Sequence, residues 1–532
     1  MSNLDNSRQG DAAVLAASED AYRRPNAIRD AGAAVLLVLG LLLPWNVYFG
    51  LGVTGTAGWV FGVLVVATLL AVAAAAAGRI AHSPDKLRLL LAAPYLVVVA
   101  GFVGFTVVQS IRFGGSGSVP PGIGPGVWFG AAGAVLASQP VIATRDGDDE
   151  RYGAGISRII GLFSLVLAVA AVLFNLYWRS RFVLPNIADA ATGTQNLAVV
   201  IGAVLYGAVA LLPVVLVARW MFSADQTARV ATVVLAASVL IAGVFVWAVP
   251  VGRELDAFHG IAQNTSTAGV GFEGYLAWVL VAAVIGTTTV RSAQPAVNWR
   301  GVTRKLLLLI AVWCAGSAVL RIFDLLSAAL LDLPAPPYNS TALMAFDLVT
   351  AVLAMWLFIN GAGPATPKQL VGLLFGVLFA MTVCRVILGV ALVPRSQPLN
   401  PTDLNEVYGN TLTQQITSTF DVALCVGALA LSAITLFVGS SKKSAPYAAP
   451  RTNPETVVPK DVSTERFAPA AAPVPASAAV PANVRIARPT APAPTSTQDR
   501  VAELLAQSTQ RFGAGTTYGG ADSGQSGVKS GR

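Results

Sequence analysis

Twelve apolar runs, most of them about twenty residues long, follow one another along this chain. They fall at approximately 30–49, 57–79, 89–111, 127–143, 159–178, 196–218, 229–250, 272–290, 305–329, 342–360, 369–393 and 417–439. A helix needs about 20 apolar residues to cross the roughly 30 Å hydrocarbon core of a bilayer. The runs are continuous and lack the alternation of a barrel strand, which excludes a transmembrane β-barrel. The expected fold is all-α, a polytopic membrane helix bundle of about twelve transmembrane helices. Composition agrees. The chain is 55% apolar and 12% charged, against about 25% charged in an average soluble domain. A soluble enzyme and a wholly disordered chain are both excluded.

Loop charge predicts orientation. If the N-terminus is cytosolic, the even-numbered loops carry 13 cations and the odd-numbered loops 5. Cytosolic loops are the ones enriched in Lys and Arg, so both termini are expected inside, in the plasma membrane. Trp45, Trp59, Trp128, Trp178, Trp247 and Trp278 all fall at the outer ends of runs, where an indole suits the headgroup layer.

Three segments are expected. Residues 1–27 are polar, carry Asp5, Asp11, Glu19 and Asp20, and lack the basic start and apolar core of a secretory signal. They read as a disordered cytosolic extension. Residues 28–439 form the twelve-span domain. From residue 440 the chain holds 11 prolines, with 11 cations against 6 acids, and long Ala/Pro stretches. Such a tail buries too little apolar surface to offset its ordering entropy and is expected to be disordered and cytosolic. Within it, Val501, Leu504, Leu505 and Phe512 recur near helical spacing, so 497–512 is a short amphipathic segment able to dock a cytosolic protein partner.

The net charge of +8 lies mostly in short loops and in the tail, with no basic face interleaved with aromatics, so nucleic acid is not an expected partner. Cys314, Cys384 and Cys425 sit in separate apolar runs, and His82 and His259 are the two histidines. Neither a disulfide framework nor a metal centre is expected. No Gly-rich loop ends in Gly-Lys-Ser/Thr, and neither histidine lies in a run to serve as an intramembrane base. The chain is therefore read as a non-enzyme without a cofactor, with the lipid bilayer and a lipid or small-molecule substrate as its partners.

Charge within the runs is the costly part. Glu273, Asp347 and Asp421 each follow a phenylalanine near the start of an even run and are spaced 74 and 74 residues apart. Arg321 and Arg385 lie in the preceding odd runs. The pattern suggests repeated helical hairpins. Arg321 lies about 24 Å above the inner end of its run at 1.5 Å per residue, and Arg385 at a matching depth. Asp347 and Asp421 enter from outside to a similar level, so Arg321 is expected to pair with Asp347 and Arg385 with Asp421. Asp324 shares a helical face with Arg321, and Glu273 has Arg253 as its candidate partner. Charges at such depth are paired or wetted, and they either fix helix register or line a substrate or proton path.

Prolines 44, 94, 140 and 213 fall within runs and are expected to kink them. Small residues from Gly130 to Ala134 favour close packing of the fourth helix. Two resemblances add to this reading. The Ala/Val/Leu-rich spans, the Leu41-Leu42-Leu43-Pro44-Trp45-Asn46 end of the first run and the Ala/Pro-rich tail resemble uncharacterised multi-pass membrane proteins of actinobacteria. That resemblance implies a cell-membrane location and leaves mechanism open. The layout of twelve spans with both ends inside resembles the major facilitator transporters. The Gly78 to Lys86 loop has that family's charges in a different order, and the central loop 219–228 is short. Two functions are expected from these observations: a secondary transporter or lipid/glycan flippase of the cell envelope, or a non-transporting scaffold whose tail recruits cytosolic partners.

Overall fold

Helix formation is close to obligatory for runs of this kind, because in hydrocarbon each backbone amide must find its partner within the segment. The computed structural model of the chain describes residues 24, 26–46, 58–77, 84–113, 123–141, 148–181, 183–223, 225–248, 271–291, 298–331, 340–361, 366–392 and 419–440. Among the described residues there are twelve α-helices, one short 3-10 turn and no strand. They are α1 (26–42), α2 (Gly58–Ala77), α3 (Pro84–Phe113), α4 (Pro125–Ser138), α5 (Asp148–Arg181), α6 (Gly193–Phe222), α7 (Gln226–Ala248), α8 (Gly271–Arg291), α9 (Trp299–Leu330), α10 (Ser340–Asn360), α11 (Lys368–Leu392) and α12 (Thr419–Ser440).

Each apolar run overlaps one of these helices. Eight of them, α2, α3, α5, α6, α7, α9, α10 and α11, are long and apolar enough to cross a membrane. Large apolar side chains such as Trp59, Val97, Ile159 and Leu330 stand exposed on these helices. A surface of that kind is stable against lipid and not against water. The chain is a helical membrane protein.

Two units divide the chain, Met1–Pro446 and Tyr447–Arg532. The second lies outside the described residues, as do the N-terminal extension and the amphipathic segment 497–512. Within the first unit, neighbours in sequence pack as pairs: α3 with α4, α5 with α6, α7 with α8, α9 with α10 and α11 with α12. The pairs are not isolated, since α2 also packs on α3, α5 on α8, and α7 on α12. Odd and even helices run in opposite directions. The start of α3 meets the end of α4 through Arg88 and the carbonyl of Ala137, while the starts of α7 and α9 lie side by side at Gly301 and Thr227. The bundle therefore has a near end, where odd helices begin, and a far end, where even helices begin.

Helix α4 departs from expectation. The sequence suggests a span over 127–143, but the helix has 14 residues, about 21 Å at 1.5 Å per residue and too short to cross alone. It is buried on nearly every side, with every residue from Pro125 to Ala134 enclosed. Glycine makes this possible. A Cβ on Gly40 of α1 would stand 2.6 Å from the Cα of Gly130, and one on Gly133 would stand 2.8 Å from the Leu37 nitrogen. Backbone bonds fasten α4 to the end of α1: Gly124 N donates to Trp45 O at 2.7 Å and Gly126 N to Pro44 O at 3.0 Å.

Two of the expected kinks fall elsewhere. Pro94 and Pro213 do lie inside α3 and α6. Pro44 and Pro140 lie just beyond the ends of α1 and α4. Pro44 has no amide hydrogen to give the carbonyl four residues earlier, Gly40, and the Trp45 indole donates to it instead at 2.8 Å.

The tryptophans also differ from the headgroup reading. Trp59 is 72% exposed, but Trp128 and Trp278 are 0% and 1% exposed, and Trp45 and Trp247 are buried too. The Trp178 side chain lies outside the described set. The buried rings pack on one another across the far half of the bundle. Trp128 meets Tyr275 edge-on, Tyr275 meets Trp278, and Phe420 contacts both Trp278 and Trp313. Aromatic ring contacts, and not interfacial anchoring, explain three of the five described indoles, Trp45, Trp128 and Trp278, and Trp247 is buried as they are.

Candidate functional site: two buried charge clusters

Four helices at the far end bring their charges together. Arg321 lies two and a half turns before the end of α9, Asp347 two turns into α10, Arg385 two turns before the end of α11, and Asp421 in the first turn of α12. Arg321 Nε donates to Asp347 Oδ2 at 2.9 Å. Arg385 Nη1 donates to Asp421 Oδ1 at 2.5 Å. Arg385 Nε also donates to Asp347 Oδ1, which joins the two pairs into one ladder. Trp313 Nε1 closes the ladder at 2.6 Å from Asp421 Oδ1, and Arg385 Nη2 reaches Ser317 Oγ at 3.3 Å.

The ladder is enclosed by its own helices. Arg321 and Asp347 are both 0% exposed. Two guanidinium and two carboxylate groups leave these four residues neutral as a set. Ion pairs enclosed this way are strongly coupled, since neither partner can turn to water if the other is lost. One feature is left open: Nη1 and Nη2 of Arg321 reach no acceptor among the described residues. Asp324 stands half-buried one turn beyond Arg321 on α9. The side chain of Glu273 lies outside the described residues, and so does its candidate partner Arg253.

A second cluster occupies the near end, and sequence reading missed it. Asp30 at the start of α1 accepts from Arg88 of α3 at 2.5 and 3.3 Å, and from Arg29 at 3.0 and 3.2 Å. The two arginines also hold the end of α4, where helix carbonyls lack intrahelical partners. Arg88 Nε donates to Ala137 O at 2.9 Å and Arg29 Nη1 to Pro140 O at 2.7 Å. Asp85 accepts from Val141 N at 3.0 Å, and Gln139 donates to Ala283 O of α8 at 2.9 Å. Arg88 is 0% exposed and is therefore not the loop cation that charge counting makes of it. The available signal was that Asp30 and Arg88 each open an apolar run, at ends that the alternation of helices puts side by side.

A multi-helix membrane bundle with a buried ionic cluster at each end is the class that fold and site define. The chain belongs to the family described as a domain of unknown function (DUF7937), whose model matches residues 26–439. That match takes in both clusters and all twelve helices but for the last residue of α12. No curated protein and no solved structure matches the chain.

Proposed function

We propose that this protein is a secondary transporter or lipid/glycan flippase of the cell envelope and not an enzyme. In this reading it lies in the plasma membrane with both termini cytosolic, the near end inside and the far end outside. All twelve helices thread the bilayer, α4 completing its crossing through the extended residues that flank it at Gly124 and Gln139. The two clusters act as closed gates at opposite ends, and the far cluster doubles as the polar site, built from Arg321, Asp324, Asp347, Arg385 and Asp421.

One observation carries the reading. A cluster that served only to fix helix register would spend its buried donors, as the near cluster does. The far cluster keeps two guanidinium nitrogens in reserve. Intramembrane charge of this kind commonly marks a transport path. The test is transbilayer movement of a fluorescent phospholipid in vesicles reconstituted with the full chain. Movement is expected above protein-free vesicles, slowed by Asp347→Asn and by Asp421→Asn, and unchanged when 440–532 are deleted. Folded protein that moves no lipid or solute, with loss of a captured cytosolic partner on the same deletion, would favour the scaffold.

A further inference from the structure

We infer that the open edge of Arg321 binds a phosphate group, and that this anion enters the far cluster together with a proton. The inference rests on the far cluster being a substrate site and names the chemistry that the site takes.

Four arginine side chains in the two clusters are at most 7% exposed. Arg29, Arg88 and Arg385 each use Nε, Nη1 and Nη2 on oxygen acceptors. Arg321 uses Nε alone. The edge it leaves is the planar two-nitrogen face that pairs with two oxygens of one oxyanion. Ser317 lies four residues earlier on the same face of α9. Its oxygen accepts from Arg385, which leaves its own hydroxyl proton to give. Three donors thus lie on one face of α9 toward the far end, in the outer third of the bilayer in the proposed orientation, just below the lipid headgroups. A lipid phosphate and a free phosphate present the same oxygens.

Charge balance supplies the proton. Arg321 and Arg385 already offset Asp347 and Asp421. A bound phosphodiester adds one negative charge to an enclosed site, where an uncompensated charge is costly. Protonation of Asp347 cancels it and frees Arg321 to turn fully to the anion. The groups around Asp347 are Arg321 and Cys314 on α9, Arg385 on α11 and Asp421 on α12, with Asp324 one turn beyond Arg321. The positive groups among them are both committed to the ladder, so neither is spare for the added charge.

The experiment titrates the purified full chain in detergent with dioctanoylphosphatidylglycerol, whose charge does not change between about pH 6 and pH 8. Inorganic phosphate and dioctanoylglycerol are titrated in parallel. Calorimetry gives one readout, and the part of the tryptophan fluorescence change that Trp313→Phe removes gives a second, since Trp313 is bonded into the same ladder. The phosphodiester lipid is expected to saturate one site, more tightly at the lower pH. Dioctanoylglycerol, without a phosphate, is not. Arg321→Gln is expected to weaken binding about tenfold or more, and Arg321→Lys, which keeps charge without the fork, by less. Asp347→Asn is expected to bind with little pH dependence. Binding of inorganic phosphate alone would assign the site to the free ion, and binding of the lipid alone to the headgroup. The inference falls if neither phosphate probe binds, if dioctanoylglycerol binds as well as the phosphodiester, or if Arg321→Gln, shown folded by its unfolding temperature, binds like wild type. Anion binding without any flux would overturn the transport reading and leave this one standing.

Discussion

The near and far clusters use the same residue types at opposite ends of one bundle, yet they spend their hydrogen bonds differently. At the near end one carboxylate serves two arginines, and those arginines turn the rest of their donors onto the carbonyls at the end of α4. That cluster is a clasp on backbone. At the far end two carboxylates and two arginines alternate, side chain to side chain, and one arginine is only one-third used. Backbone carbonyls cannot move without unwinding a helix, whereas side chains exchange partners by rotation. The difference separates a fixed joint from a site able to change partners.

Breaking each in turn tests this contrast. The largest loss is expected for Asp30→Ala, which leaves two enclosed guanidinium groups without a carboxylate. Removing one partner of a buried pair costs about 3–5 kcal/mol, so the variant should lose its monodisperse peak in size-exclusion chromatography. Replacing Arg29, Asp30 and Arg88 together by apolar residues should recover part of that loss. Arg385→Met should follow closely, because it leaves Asp421 without a cation and takes from Asp347 one of its two arginines. Arg321→Met should cost about 2 kcal/mol or less, since Arg385 still holds Asp347; thermal unfolding of the two variants in one detergent gives the difference. An equal loss for both would mean that Arg321 is as fully engaged as its neighbour. Gly40→Ala touches neither cluster and should cost about 1–3 kcal/mol by forcing α1 from α4. The smallest effect is the sharpest. Rigidly separate sites add to within about 0.5 kcal/mol, so a larger departure in the Arg88→Met, Arg321→Met cycle is expected if the two ends work as coupled gates.

The far ladder stands out in the sequence for a simple reason. Arg321, Asp347, Arg385 and Asp421 interrupt apolar runs, and depth counted along each run puts them at one level. The near clasp was hidden because Asp30 and Arg88 sit at run ends, where a charge is normally wetted and reports only topology. The helices themselves were legible from run length. The short α4 was not, because apolar residues resume at Pro140 and Val141, beyond the end of the helix at Ser138. The tryptophans were misplaced for a related reason. Position along a helix gives depth, but the face on which Trp128 or Trp278 lies is set by neighbours far away in sequence, Tyr275 and Phe420 among them.

The brevity of α4 has a consequence for how the chain is made. A 14-residue helix gives the insertion machinery too little apolar length to be released into lipid alone. It is held by the neighbour that precedes it, α3, through Arg88 on Ala137 O. Its partners α7 and α8 are synthesised more than eighty residues later. Until they arrive, one side of α4 has no permanent cover, and the growing bundle holds an unfinished core that α7 and α8 complete.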